Sequence, residues 1–97
     1  MAISESQRRH LRKLAHHLKP VVTVGNAGLN ENVLNEIDSA LAHHELIKVR
    51  INAADKAERQ FMIDVIGKRT EADWVLSIGH IAAFYRPAEK PRLVLPH

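Results

Sequence analysis

The 97-residue chain contains no cysteine, so it can form neither a disulfide framework nor a thiolate zinc site. It has no apolar run near the ~20 residues that a membrane-spanning helix needs. Its first ten residues, MAISESQRRH, lack the apolar core of a signal peptide. We therefore expect one small domain over residues 1–97, in the cytoplasm and with no membrane partner.

Aromatic residues are also scarce, at 4% of the chain. We expect Phe61 and Phe84 to pack in the core, whereas the pattern leaves Trp74 and Tyr85 open between packing and stacking on a nucleic-acid base. So few stacking groups would favour recognition of shape and phosphates over the reading of bases.

Positive charge is in mild surplus overall but unevenly distributed. The chain has 14 lysines and arginines against 11 acids, a net charge of +3. Residues 1–24 contain five basic residues and one acid, Glu5; the basic residues are Arg8, Arg9, Arg12, Lys13 and Lys19. Asn30 to Glu45 holds four acids and no lysine or arginine. This sorting predicts one positive surface.

Hydrophobic spacing predicts the order α-β-α-β-α-β-β. Ser4 and Gln7 form a capping-box pattern for a basic helix within residues 1–19, and Pro20 ends it. A strand follows at residues 21–24, and Asn30 is the predicted N-cap of a second helix. The third helix, residues 54–68, is predicted to bury a stripe of apolar side chains: Ala57, Phe61, Val65 and Ile66.

The remaining segments predict a sheet. LIKVRI, residues 46–51, alternates so that Lys48 and Arg50 face away from its apolar side, and two more strands meet at Gly79–His80. Residues 87–97 carry three prolines and read as an extended tail. The expected fold is an α+β, two-layer structure with a four-stranded mixed sheet. The first helix could cover part of the face that carries Lys48 and Arg50.

The stretch VVTVGNAGLNE places Gly25 and Gly28 between a strand and a helix N-terminus, where unpaired N–H groups favour an anion. It lacks the Gly-Lys-Ser/Thr of a P-loop and the third glycine of a dinucleotide fingerprint. A bare G-x-x-G remains, the pattern with which KH domains clamp a nucleic-acid backbone. A plain turn that needs glycine is the alternative, and Glu31 in the first helical turn opposes phosphate binding.

Metal binding and catalysis find little support in the sequence. Adjacent histidines, His16-His17 and His43-His44, point about 100° apart on a helix and cannot chelate as pairs. No serine shows a base and an orienting group around it. We expect no metal, no cofactor, no small-molecule substrate and no enzymatic activity.

The segment LKPVVTVGNAGLNENVLNEIDSALAHHELIKVRI, Leu18 to Ile51, resembles the core signature of the YhbY family, the stand-alone bacterial form of the CRM domain. The motif Tyr85-Arg86-Pro87 is also similar. The resemblance implies a fold like the C-terminal domain of bacterial translation initiation factor three, with an added N-terminal helix. It also implies RNA binding in precursors of the large ribosomal subunit, and plant relatives carry the domain in group II intron splicing factors.

Together these observations predict a monomeric RNA-binding protein that contacts ribosomal RNA in 50S precursors. Its predicted contact residues are Gly25, Asn26, Ala27, Gly28, Arg8, Arg9, Arg12, Lys13, Lys19, Lys48 and Arg50. The alternatives are an adaptor that docks on ribosomal proteins and, with less support, an RNA-processing enzyme. The preference for single- or double-stranded RNA is left open.

Overall fold

The computed structural model describes residues 3–96. Three helices and four strands alternate along the chain in this order: α1 (Glu5–Ala15), β1 (Pro20–Val24), α2 (Glu31–His44), β2 (Leu46–Ile51), α3 (Lys56–Thr70), β3 (Asp73–Ile78) and β4 (Ile81–Tyr85). The predicted α+β class and the predicted element order are confirmed. None of the described helices is long and apolar enough to cross a membrane. Residues 1, 2 and 97, which belong to the predicted basic helix and tail segments, lie outside the described range.

The four strands form one mixed sheet in the order β1-β2-β4-β3. β1 and β2 run parallel, joined by α2, whereas β4 runs antiparallel to both β2 and β3. As predicted, β3 and β4 are joined by the two residues Gly79 and His80. In this order β1 and β3 are the edge strands, and the loops after β1 and β3 lie at the same end of the sheet.

The helix starts follow from local side-chain chemistry. Ser4 and Gln7 form the predicted capping box: the Gln7 backbone N–H donates to Ser4 Oγ at 3.1 Å, and the Ser4 N–H donates to Gln7 Oε1 at 3.0 Å. Asn30 caps α2 by accepting the Val33 N–H at 2.9 Å, and Asp55 caps α3 in the same way. Each cap pairs one of the N–H groups that a helix start otherwise leaves free.

α2 and α3 pack together on one face of the sheet, which we call the α2/α3 face. The main core lies there and includes Ile37 and Leu41 of α2, Ile66 of α3, and Val49 and Phe84 of the sheet, all fully buried. Ile47 and Ile51 belong to the same cluster. Because side chains alternate along a strand, Lys48 and Arg50 lie on the opposite face, as the LIKVRI pattern predicted.

α1 packs on that opposite face, which we call the α1 face. A second, smaller cluster joins the buried Leu11 and Ala15 of α1 to Val75, Ala83 and Tyr85 of the sheet. The two-layer arrangement therefore gains a third, partial layer. α1 covers the end of the sheet at which β2 begins and β4 ends, because its partners in the cluster lie there.

The predicted buried stripe of α3 is confirmed at Ile66 and wrong at its other three residues. Phe61 is 67% exposed, Ala57 is exposed and Val65 is half-buried, whereas Met62, Ile63 and Ile66 form the core contacts. The stretch FMIDVI offers two apolar stripes with the same 3.6-residue period, and periodicity alone does not choose between them. Thr70 completes the buried stripe of α3. Its hydroxyl donates to the Ile66 carbonyl at 2.7 Å, so no unpaired polar group is buried in the core.

The chain after β4 runs without helix or strand to Pro96 and is tied to the fold by Glu45. Glu45 is fully buried, with φ 63° directly after α2. Its carboxylate accepts N–H bonds from Ala88, Arg92 and Leu93 at 2.9–3.1 Å. Burial raises the pKa of this carboxyl, but these donors and the Arg92 guanidinium together hold the pKa below its ordinary value.

Candidate nucleic-acid interface

The loop between β1 and α2 is an exposed turn at the end of the sheet. β1 ends at Val24, and the Gly28 N–H then donates to the Gly25 carbonyl at 3.0 Å. Asn26 and Ala27 occupy the middle of this turn and are exposed to solvent. Leu29 follows and packs against the main core, which fixes the position of the turn.

The two glycines of this turn differ in whether the backbone conformation requires glycine. Gly28 has φ +76°, in the left-handed region that glycine adopts without cost. Gly25 has no such backbone angle, and a Cβ built on it would meet no atom within 4 Å. Neither backbone geometry nor packing inside the protein therefore requires glycine at position 25. The missing side chain instead leaves the main chain open to another molecule.

The start of α2, three residues after Gly28, combines free N–H groups with a compensated acid. Asn30 pairs the Val33 N–H, and the remaining first-turn N–H groups point toward the loop. Glu31, the residue that opposes phosphate binding in the sequence, is bound by Arg69 of α3. Arg69 Nη2 lies 2.7 Å and 2.8 Å from the two Glu31 carboxylate oxygens. The negative charge at the helix start is thus offset by a neighbouring helix.

Next to the loop, one row of side chains runs across all four strands on the α1 face. Cross-strand pairing aligns four residues: Thr23, Arg50, Ile81 and Ile78. Thr23 and Arg50 are exposed, and Ile78 is 69% exposed. α1 does not reach this row, so the structure joins Arg50 and the Gly25–Gly28 turn into one open surface.

The predicted cations of α1 divide into two groups. Arg8 and Arg12 flank the side of α1 that packs on the sheet, and both contact the edge strand β3. Arg8 donates to the Trp74 carbonyl and lies over the indole ring, 5.8 Å from its centroid. Arg12 Nε donates to the Val75 carbonyl at 3.3 Å, and its Nη1 lies 3.7 Å from Glu5. These two arginines therefore also hold α1 against the sheet.

Arg9 and Lys13 are exposed and lie two residues on either side of the buried Leu11, so helical geometry turns them away from the sheet. Within residues 3–96 neither makes an ion pair or a side-chain hydrogen bond. Lys19 is exposed on the link into β1. The structure thus groups Arg12, Lys48 and Arg50 on the α1 face, with Arg9 and Lys13 on the outer side of α1.

No group of three or more histidine, aspartate or glutamate side chains within residues 3–96 is arranged to hold a metal ion. His43 lies in the last turn of α2, where Nδ1 donates to the Ser39 carbonyl at 2.9 Å.

The sequence patterns missed three residues that shape the fold: Arg69, the buried Glu45 and Arg86. Arg86 was noticed only within the YRP motif; in the fold its guanidinium reaches Asp38 and the Thr70 carbonyl.

Comparison with known proteins gives concordant matches over almost the whole chain. A model described as the CRS1 / YhbY (CRM) domain matches residues 3–86. A Haemophilus influenzae protein named as an RNA-binding protein is 49% identical over 94 residues, covering 97% of this chain and 95% of that one. A Bacillus subtilis protein named as a probable RNA-binding protein is 32% identical over 95 residues, covering 97% and 99%. The solution structure of a hypothetical protein from Staphylococcus aureus superposes with a TM-score of 0.86 at 31% identity, covering 98% and 100%.

Proposed function

Because the chain belongs to the CRS1 / YhbY (CRM) domain family, we propose that it binds RNA through the Gly25–Gly28 turn and the cations of the α1 face and of α1. The observation that carries this proposal is Gly25. Gly25 is half-buried directly after a strand, and nothing in the described residues fills the space that a side chain would occupy. An RNA backbone fits such a site, since G-x-x-G loops clamp nucleic-acid strands in this way.

In this proposal the turn positions the strand and the cations supply affinity. Phosphate oxygens accept hydrogen bonds from the free N–H groups at the start of α2, which also carries the positive end of the helix dipole. Arg69 offsets part of the repulsion that Glu31 would otherwise exert on a phosphate. Arg50 and Lys48 continue the contact along the sheet, and Arg9, Lys13 and Lys19 reach flanking phosphates.

We further propose that the RNA is ribosomal RNA in precursors of the large subunit, bound in the cytoplasm by the monomer, and that the protein acts by binding and not by catalysis. Crosslinking in cells, followed by sequencing of the attached RNA, tests this choice. Fragments of large-subunit RNA are expected. A pull-down of ribosome precursors that survives ribonuclease treatment would instead favour an adaptor docked on ribosomal proteins.

Replacing Gly28 by aspartate tests the turn directly. Gly28→Asp should weaken RNA binding about tenfold or more, because like charges about 4 Å apart near a protein surface repel by on the order of 1–4 kcal/mol. Gly28→Asn is the matched control: it has nearly the same shape and a similar tolerance for the left-handed backbone, but no charge. Fluorescence anisotropy with labelled RNA measures both, and equal affinities for the two variants would contradict the phosphate contact.

The electrostatic part of the proposal is tested by salt. If about four phosphates are neutralised, the logarithm of the association constant should fall with the logarithm of salt concentration at a slope of about −3, using ~0.7 per phosphate for single strands. The same anisotropy titration, repeated over a range of KCl concentrations, gives the slope. An affinity that does not change with salt would remove the proposed role of the cations.

A further inference from the structure

A groove separates α1 from the open row of the sheet, and its lining is cationic and apolar. Its volume is about 470 Å³, within the range of about 300–1,000 Å³ typical of sites for small ligands. It lies on the α1 face, beside the edge strand β3. Its main lining residues are Arg12, His16, Lys48, Trp74, Leu76 and Ile78. No acidic residue lines this groove.

Lys48 is the most informative of these residues. It is half-buried at the centre of β2, directly opposite the small Ala83, and within residues 3–96 it pairs with no carboxylate. A partly desolvated ammonium without a counter-ion is unfavourable by itself and is stabilised by an incoming anion. Arg12 reaches the same groove from α1, so a phosphate there would meet two cations.

The apolar side chains that line the groove are also accessible to a ligand. Ile78 is 69% and Trp74 39% exposed, although both are large hydrophobic residues of the sheet. Cations beside exposed apolar and aromatic side chains are the arrangement with which proteins hold unpaired nucleotides, whose bases pack against the surface while their phosphates meet lysine and arginine.

A second groove near α1 provides a contrast. About 550 Å³ in volume, it is lined by Ile3, Leu93 and Leu95 together with Glu71 and Asp73. Burial raises the pKa of Asp73 above its ordinary value. The two acids, beside the single cation Arg86, make this second groove a poorer site for a phosphate than the groove that contains Lys48.

We infer that the groove between α1 and β3 holds an unpaired nucleotide of the bound RNA, with its phosphate at Lys48 and Arg12 and its base against Ile78 and Trp74. This inference rests on the proposed function and extends it. The exposed row from Thr23 to Ile78 connects the groove to the Gly25–Gly28 turn across three strand spacings, about 14 Å in all. One strand can therefore contact both sites, and the groove supplies a preference for single-stranded RNA.

The only tryptophan of the chain, Trp74, lines the β3 edge of this groove and also borders α3, so its fluorescence reports on a nucleotide bound at this edge. Binding of a short oligouridylate should reduce the quenching of Trp74 fluorescence by acrylamide, because a nucleotide in the groove shields the indole. A blunt RNA duplex of the same length should leave the quenching unchanged. If the duplex shields Trp74 as well as the single strand does, the inference of an unpaired nucleotide is wrong.

Substitution separates the groove from the turn. Ile78→Asp should weaken oligouridylate binding about tenfold, the order of one lost base contact. The matched control is Val94→Asp, at a residue that is 86% exposed in the tail and outside the groove, and its binding should equal that of the wild type. Lys48→Gln is a second, milder variant, which should reduce the magnitude of the salt slope by about 0.7. Thermal melting checks that each variant is folded.

The outcomes distinguish this inference from the proposed function. If Ile78→Asp binds like Val94→Asp and Lys48→Gln leaves the salt slope unchanged, while Gly28→Asp still weakens binding, the groove is not a nucleotide site and the turn remains one. If the wild-type protein binds neither single-stranded nor duplex RNA, the proposed function fails and the inference fails with it.

Discussion

The two faces of the sheet are covered to different extents, because two helices pack on one face and a single helix packs on the other. Neighbouring strands lie about 4.8 Å apart, so a helix about 10 Å across covers roughly two of four strands. α2 and α3 together cover the α2/α3 face, where Ile37, Val49 and Phe84 are completely buried. α1 is alone on the other face and leaves three residues of the row exposed, Thr23, Arg50 and Ile78, while Ile81 is half-buried.

We interpret this difference as a division between a face that stabilises the fold and a face on which RNA is proposed to bind. The centre of the covered face has no room for a ligand, because its side chains fill the space between sheet and helices. Two smaller pockets lie at its edge, between α3 and β3. The α1 face holds exposed apolar and cationic side chains at fixed positions on a rigid sheet. A binding surface on a sheet is more precisely arranged than one on a mobile loop.

The largest effect on the free energy of unfolding is expected from a comparison of one substitution on each face. Phe84→Ala removes a fully buried ring from the main core and should lower the free energy of unfolding by about 3–5 kcal/mol. Ile78→Ala removes a side chain that is 69% exposed and should cost less than about 0.5 kcal/mol. Urea unfolding followed by circular dichroism measures both. Equal losses would mean that the α1 face carries as much stability as the covered face.

Much of this division is predictable from the sequence, because it follows from local patterns. The alternation in LIKVRI places Lys48 and Arg50 opposite the core, and the caps at Ser4 and Asn30 begin two helices as expected. The Gly25–Gly28 motif lies where a strand meets a helix, as its sequence context indicated. Each of these features depends on residues at most a few positions apart.

Features that depend on distant parts of the chain were not predictable. Phe61 was assigned to the core because FMIDVI fits two helical phases, and only packing against the sheet selects Met62 and Ile63. Glu45 resembles a solvent-exposed acid at a helix end, yet its partners Arg92 and Leu93 come 47 and 48 residues later. The groove at Lys48 likewise requires α1 and β3 to meet, which no sequence period encodes.

The second prediction concerns the buried carboxylate of Glu45, which holds the chain after β4 at the margin of the α1 face. Glu45→Gln should lower the free energy of unfolding by about 2–4 kcal/mol, because one Glu45 oxygen accepts from Ala88 and the other from Arg92 and Leu93, and glutamine retains only one acceptor oxygen. Amide hydrogen exchange should speed up at one of these two sets. Glu36→Gln, at an exposed position on α2, is the matched control and should change neither measurement.

The same carboxylate gives stability a defined pH dependence. Its pKa in the folded protein lies below the ordinary glutamate value of 4.5, so the unfolded chain takes up this proton at a higher pH than the folded protein does. The stabilisation is complete above pH 4.5 and is lost as the pH falls through the folded pKa. The difference in stability between wild type and Glu45→Gln should therefore shrink in that acidic range. A difference that grows as the pH falls would contradict the assignment.

The smallest expected effect separates the two groups of α1 cations. Arg12→Gln removes a hydrogen bond to the Val75 carbonyl and should lower the free energy of unfolding by about 0.5–1 kcal/mol, whereas Lys13→Gln should leave stability unchanged. Both variants should reduce the magnitude of the RNA salt slope by about 0.7. Paired urea and anisotropy titrations measure the two effects separately. If Lys13→Gln destabilised the protein as much as Arg12→Gln, both cations would support α1, and the division between an inner and an outer side of this helix would be wrong.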